Sequence, residues 1–162
     1  MMRKILFIVA VIFIAFLVEF LLFNFVGRWI MPNLLLLVVI FFNLLWGIRF
    51  SLFTAVIAGL LQDSFSTNPF GVHLFSFVVC AFAATLIKKI IYPGGSRSIR
   101  LLLVSLIVIV NFLVQFFLHM VFGVVDVRET MRFIFIPEML TTLIVTNYCF
   151  NQLKICVLKF FV

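Results

Sequence analysis

Residues Ile5–Val26 read ILFIVAVIFIAFLVEFLLFNFV, and Glu19 is the sole ionisable side chain among them. A helix rises about 1.5 Å per residue, so this run reaches roughly 33 Å, enough to cross a hydrocarbon core of about 30 Å. The remainder of the chain has the same texture. Of 162 residues, 67% are hydrophobic and 10% charged, and mean hydropathy is +1.41. Soluble domains carry about 25% charged residues, so the bilayer is the solvent here. Arg3 and Lys4 ahead of the run give it the order of a signal peptide. The apolar residues continue to Val26 without a small-residue cleavage site, so an uncleaved first helix is expected.

Outward from that segment, charged and turn-forming residues divide the chain into six expected spans: 5–26, 33–48, 50–65, 69–91, 99–122 and 133–157. The reading is an all-α integral membrane protein, one six-helix transmembrane bundle with short loops and no soluble domain. Asn68-Pro69 has the chemistry of a helix start, a capping side chain followed by a preorganised first residue. With the N-terminus inside, the cytoplasmic cations are Arg3, Lys4, Arg49, Lys88, Lys89, Arg97, Arg100, Lys154 and Lys159. The outer set is Arg28, Arg128 and Arg132. That imbalance predicts both termini in the cytoplasm.

A net charge of +7 is therefore a topological signal, and no nucleic-acid partner is expected. The basic segment Lys88–Arg100 suits an anionic lipid surface. Cys80, Cys149 and Cys156 lie in apolar runs without a Cys-x-x-Cys pair, so neither a disulfide nor a metal site is expected. The chain has no His-Glu-x-x-His helix, Gly-x-Ser-x-Gly elbow or phosphate-cradling glycine loop. No catalytic residue, cofactor or enzymatic activity is expected.

The informative departure from oiliness is AGLLQDSFSTNPFGVHLF, Ala58–Phe75. From Arg49 to Gln62 a helix rises only about 20 Å, so the third span is expected to be short, with Gln62, Asp63 and Ser64 at membrane depth. Ser51, Ala55, Gly59 and Asp63 form an i+4 row of the small-xxx-small kind, which lets helices approach closely. Asn111, Gln115 and His119 repeat that spacing in the fifth span, and polar groups in lipid must face the interior, a cavity or a partner. The last span carries Glu138, Thr141, Thr142 and Thr146 on one stripe, with Asn147, Asn151 and Lys154 roughly opposite. By helical rise Glu19, Asp63, His73, His119 and Glu138 all fall near the outer leaflet. A cavity or a partner contact opening outward is expected there.

Pro32-Asn33-Leu34-Leu35-Leu36, Gly59-Leu60-Leu61-Gln62-Asp63, Gly71 at the head of the next helix, and Ile136-Pro137-Glu138 together resemble the rod-shape-determining protein MreD family. The likeness covers nearly the whole chain and departs from the family pattern at Gln62 and Asn33. It implies a non-enzymatic inner-membrane scaffold of the bacterial elongation machinery, acting in cell shape and peptidoglycan synthesis. The implied partners are an MreC-like single-span periplasmic scaffold and, through it, an MreB-like filament, a penicillin-binding protein and a shape-family glycosyltransferase. Pro32, Asn33, Gly59, Asp63, Gly71, His73 and Glu138 become candidates for structure or partner binding. The family also resembles the substrate-binding subunits of energy-coupling-factor vitamin transporters in fold, which supplies the alternative function. Against that alternative, the Ser64–Asn68 loop is short, and Ala10 and Ala15 lack Ala-x-x-x-Ala spacing.

Overall fold

A computed structural model of the protein describes residues 2–26, 32–66, 69–91, 97–122 and 136–161. Arg28, Asn68, Asp126, Arg128, Glu129 and Arg132 lie outside the described residues. The architecture is all-helical: α1 (Met2–Val26), α2 (Leu34–Trp46), α3 (Ile48–Phe65), α4 (Val72–Ile91), α5 (Arg97–Phe122) and α6 (Ile136–Phe161). Helices are what such a sequence must form in lipid, because each apolar segment then satisfies its own backbone. Four of them, α1, α3, α4 and α5, are long and apolar enough to cross a membrane. The 26-residue α6 is less apolar and carries Glu138, Lys154 and Lys159.

The short element is α2, not the third segment. α3 has 18 residues, about 27 Å by helical rise, whereas α2 has 13, about 20 Å. Gly47 explains the displacement. Its φ of 85° and ψ of −174° belong to a region essentially restricted to glycine. There its N–H closes α2 on Asn43 O at 3.1 Å, while its carbonyl accepts from Ser51 N at 3.2 Å to open α3. The break thus falls at a single residue, and α3 begins at Ile48, two residues ahead of the expected start.

α2 is the central post. Every residue from Leu34 to Asn43 is buried, and the helix packs against α1, α3, α4 and α6. α1 also meets α3, α3 lies along α4, α4 along α5, and α5 along α6. Leu35, Leu36, Leu37, Ile40 and Phe42 are fully buried, in one apolar cluster with Ile8, Ile12, Ala55, Ala58, Phe77, Leu103 and Ile107. Exposed Phe13, Phe20, Phe82, Leu113, Phe117 and Ile144 form the apolar outer surface that a lipid-embedded bundle requires.

Consecutive helices run in opposite directions. One end of the bundle therefore gathers the C-terminal parts of α1, α3 and α5 with the N-terminal parts of α2, α4 and α6. The acidic side chains among the described residues, Glu19, Asp63 and Glu138, all belong to that end. Arg3, Lys4, Arg49, Lys88, Lys89, Arg100, Lys154 and Lys159 belong to the opposite end.

The start of α4 departs from the expected Asn68-Pro69 cap. The helix begins at Val72, after a turn in which Val72 N donates to Pro69 O at 3.4 Å and Gly71 takes a φ of 100°. Pro69 stands ahead of the first helical residue, and Asp63 of α3 supplies a capping carboxylate, as described next.

Candidate functional site

Polar side chains at the acidic end form two knots, each built around the start of a buried helix. In the first, Asp63 reaches from the last turn of α3 to the start of α4. Its Oδ2 accepts from Gly71 N and Leu74 N, both at 3.0 Å, and its Oδ1 from His73 N at 2.9 Å. The first N–H groups of a helix have no intrahelical acceptor, and a carboxylate there also opposes the positive end of the helix dipole. Asp63, 4% exposed, supplies both functions from a neighbouring helix.

Gly59 sits one turn earlier on the same face. A Cβ at this position would lie 2.4 Å from Leu74 Cα and 2.9 Å from Leu74 N. The missing side chain is what brings α3 close enough for the Asp63 carboxylate to reach the α4 backbone. Ser51, Thr54, Ala55 and Ala58 continue the buried face. The small-residue row therefore packs inside this bundle.

From α4 the network runs into α5. Gln115 Nε2 lies 3.2 Å from His73 Nδ1 and 3.4 Å from Asn111 Oδ1. Ser76 Oγ donates to Asn111 Oδ1 at 2.6 Å. His119 Nδ1 lies 2.7 Å from Gln115 O, a geometry in which the ring nitrogen donates, since a carbonyl can only accept. With the Gln115 amide donating, His73 Nδ1 accepts. Asn111 is 2% exposed and His73 8%, so this stripe of α5 faces α4.

The second knot encloses the start of α2. Asn33 caps the helix, its Oδ1 accepting from Leu36 N at 2.9 Å. Its Nδ2 donates to Glu138 Oε1 at 3.1 Å, and its backbone N donates to Thr142 Oγ1 at 3.1 Å. Glu19 Oε1 accepts from Leu34 N at 3.0 Å, a donor that also faces Pro32 O at 3.0 Å. Three helices, α1, α2 and α6, are thus fastened at one helix start, with Glu19 5% exposed.

At the other end of α2 the signs reverse. Lys88 Nζ donates to Asn43 O at 3.2 Å and Leu44 O at 2.9 Å, where a cation suits the negative end of the helix dipole. Asn43 Nδ2 donates to Ala81 O and Thr85 Oγ1, both at 2.9 Å. Carboxylates at one end and an ammonium at the other hold a helix too short to reach both membrane surfaces.

Of the residues singled out in the sequence, Pro32, Asn33 and Glu138 gather in the α2 knot. Gly59, Asp63, Gly71, His73, Asn111, Gln115 and His119 belong to the α3–α4–α5 knot. Sequence reasoning gave no role to Asn43. It grouped Glu19 with the outer-leaflet ionisable residues, Thr142 with the polar stripe of the last span and Lys88 with the basic lipid-facing segment, and named none of their partners. Glu19 carried a usable signal as the one charge in the first apolar run. Lys88 read as part of a basic segment facing anionic lipid, whereas its ammonium turns to the end of α2. Among the described residues no group of three or more His, Cys, Asp or Glu is arranged to hold a metal. Cys80, Cys149 and Cys156 are free thiols.

The family model described as rod shape-determining protein MreD matches residues 1–160. The chain belongs to the MreD family. No curated protein and no solved structure matches it. Membership assigns this MreD protein to the membrane and gives it a structural role in rod-shape determination. Of the residues that carried the resemblance in the sequence, Pro32, Asn33, Gly59, Asp63, Gly71 and Glu138 fall in the two knots.

Proposed function

We propose that this MreD protein is a non-enzymatic scaffold of the bacterial elongation complex in the inner membrane, with both termini cytoplasmic. It binds an MreC-like single-span periplasmic scaffold. Through that partner it helps couple an MreB-like filament to a penicillin-binding protein and a shape-family glycosyltransferase. The observation that carries this reading is the commitment of four buried or half-buried side chains, Asp63, Asn33, Glu19 and Lys88, to helix ends. Asp63 satisfies three backbone N–H groups, Asn33 and Glu19 satisfy the α2 start, and Lys88 the α2 carbonyls. Side chains engaged in this way fix a shape. The basic residues gathered at the end opposite the carboxylates support the cytoplasmic orientation.

The test is affinity purification from native membranes in mild detergent, with partners identified by mass spectrometry and an Asp63→Leu variant in parallel. The expected result is recovery of a single-span periplasmic scaffold with wall synthases, weakened by the substitution. Recovery of a multispan coupling subunit with ATPases would instead place the protein among vitamin-transporter subunits and overturn the proposal.

A further inference from the structure

An open groove of about 470 Å³ runs between α5 and α6, lined by Leu101, Leu102, Ser105, Leu143, Ile144 and Asn147. Arg100 stands beside it in the first turn of α5. Its Nη2 donates to Asn147 Oδ1 at 3.0 Å at the exposed surface, and its guanidinium lies 5.0 Å from the centre of the Phe150 ring. Its Nε is buried with no acceptor, and no carboxylate among the described residues pairs with it. The described acids lie at the opposite end of the bundle, while Lys88, Lys89, Lys154 and Lys159 share the end that holds Arg100.

We propose that this groove holds an acyl chain of an anionic phospholipid, with the lipid phosphate bound by Arg100 and Asn147. The chemistry matches along the length of such a molecule. Leu101, Leu102, Leu143 and Ile144 offer an apolar wall at membrane depth. Arg100 presents the Nη end of its planar guanidinium at the exposed surface, donors that pair well with phosphate oxygens, and Phe150 beneath it fixes the guanidinium in place. The Asn147 amide provides a further donor at the same point. The surrounding lysines raise the local concentration of anionic headgroups, and Arg100 converts that general attraction into a site.

The full chain, purified in detergent, is titrated with phosphatidylglycerol or phosphatidylcholine, and retained lipid is counted by native mass spectrometry. Wild type is expected to retain one phosphatidylglycerol in preference to phosphatidylcholine. Arg100→Gln is expected to lose about fivefold in affinity, the effect of one cation near an anionic surface. Ile144→Trp, which fills the groove and leaves every charge in place, is expected to lose the bound lipid as well. Lys89→Gln, an exposed cation away from the groove, is the control and is expected to retain it. Equal retention of the two lipids would overturn the proposal. So would unchanged phosphatidylglycerol binding in Ile144→Trp, or an equal loss in Lys89→Gln, because either result describes a diffuse basic surface instead of a groove.

Discussion

Gly59 in α3 and Leu74 in α4 approach so closely that a Cβ on the glycine would sit 2.4 Å from the Leu74 Cα. The obstructing atoms are backbone, so no rotamer change relieves the clash and the two helices must separate. Gly59→Ala is therefore expected to destabilise the bundle by about 1–3 kcal/mol, the usual range for overpacking, and Gly59→Leu by more. Thermal unfolding in detergent measures both. A Gly59→Leu protein as stable as wild type would show that the contact does not hold in the membrane.

Asp63 depends on that approach, since its carboxylate serves three N–H groups of the facing chain. Asp63→Leu leaves Gly71, His73 and Leu74 without their acceptor, and each orphaned buried donor costs about 1–3 kcal/mol. Asp63→Asn keeps one acceptor oxygen and is expected to fall between leucine and wild type. Hydrogen exchange gives the local readout. Amides 71, 73 and 74 should exchange faster in Asp63→Leu, ahead of the rest of α4, and unchanged protection there would remove Asp63 from its capping role.

The two ends of α2 offer a test of independence. Lys88→Met removes a charged donor from two carbonyls and is expected to cost about 1.5–3 kcal/mol. Glu19→Leu removes one acceptor from Leu34 N, which keeps Pro32 O at 3.0 Å, and is expected to cost about 0.5–1.5 kcal/mol, whereas Glu19→Gln retains an acceptor oxygen and should cost less. The sites lie at opposite ends of a helix about 20 Å long. The double variant Glu19→Leu/Lys88→Met should thus equal the sum of the singles to within about 0.5 kcal/mol, as read from unfolding in a common detergent.

Much of the fold was legible in the sequence because lipid leaves few options. An apolar run closes its own hydrogen bonds as a helix, and Gly47, Gly71 and the charged segments mark where runs stop. The length of each helix was less legible. Gly47-Ile48-Arg49 reads as a break between spans ending at 48 and starting at 50, and the conformation at Gly47 fixes it at the first of those residues and leaves α2 the short helix. The knots were half visible. Gly59, Asp63, Asn111 and Gln115 announce themselves as small or polar positions at helical spacing within apolar surroundings. Glu19 meeting Leu34, Thr142 meeting Asn33 and Lys88 meeting the α2 carbonyls are matters of tertiary placement. Nothing in the local residues says which neighbour a buried polar group will find, only that in lipid it needs one.

The three cysteines grade the surface from inside to outside and give a test of orientation. Cys80 is buried, with its Sγ 3.9 Å from both Ile107 O and Asn111 Oδ1, while Cys149 is intermediate and Cys156 exposed. An accessible thiolate is the nucleophile that adds to such reagents, so a membrane-permeant maleimide should label Cys156 in the native protein and Cys80 only after denaturation. Cys156 lies between Lys154 and Lys159 in the last turns of α6, at the basic end of the bundle. With both termini cytoplasmic, an impermeant maleimide should label Cys156 in inside-out vesicles and leave it unmodified in intact cells with a permeabilised outer envelope. Labelling from the periplasmic side alone would reverse the proposed topology. The knots built on Asp63 and Asn33 would then face the cytoplasm, and a periplasmic partner would have to meet the basic end.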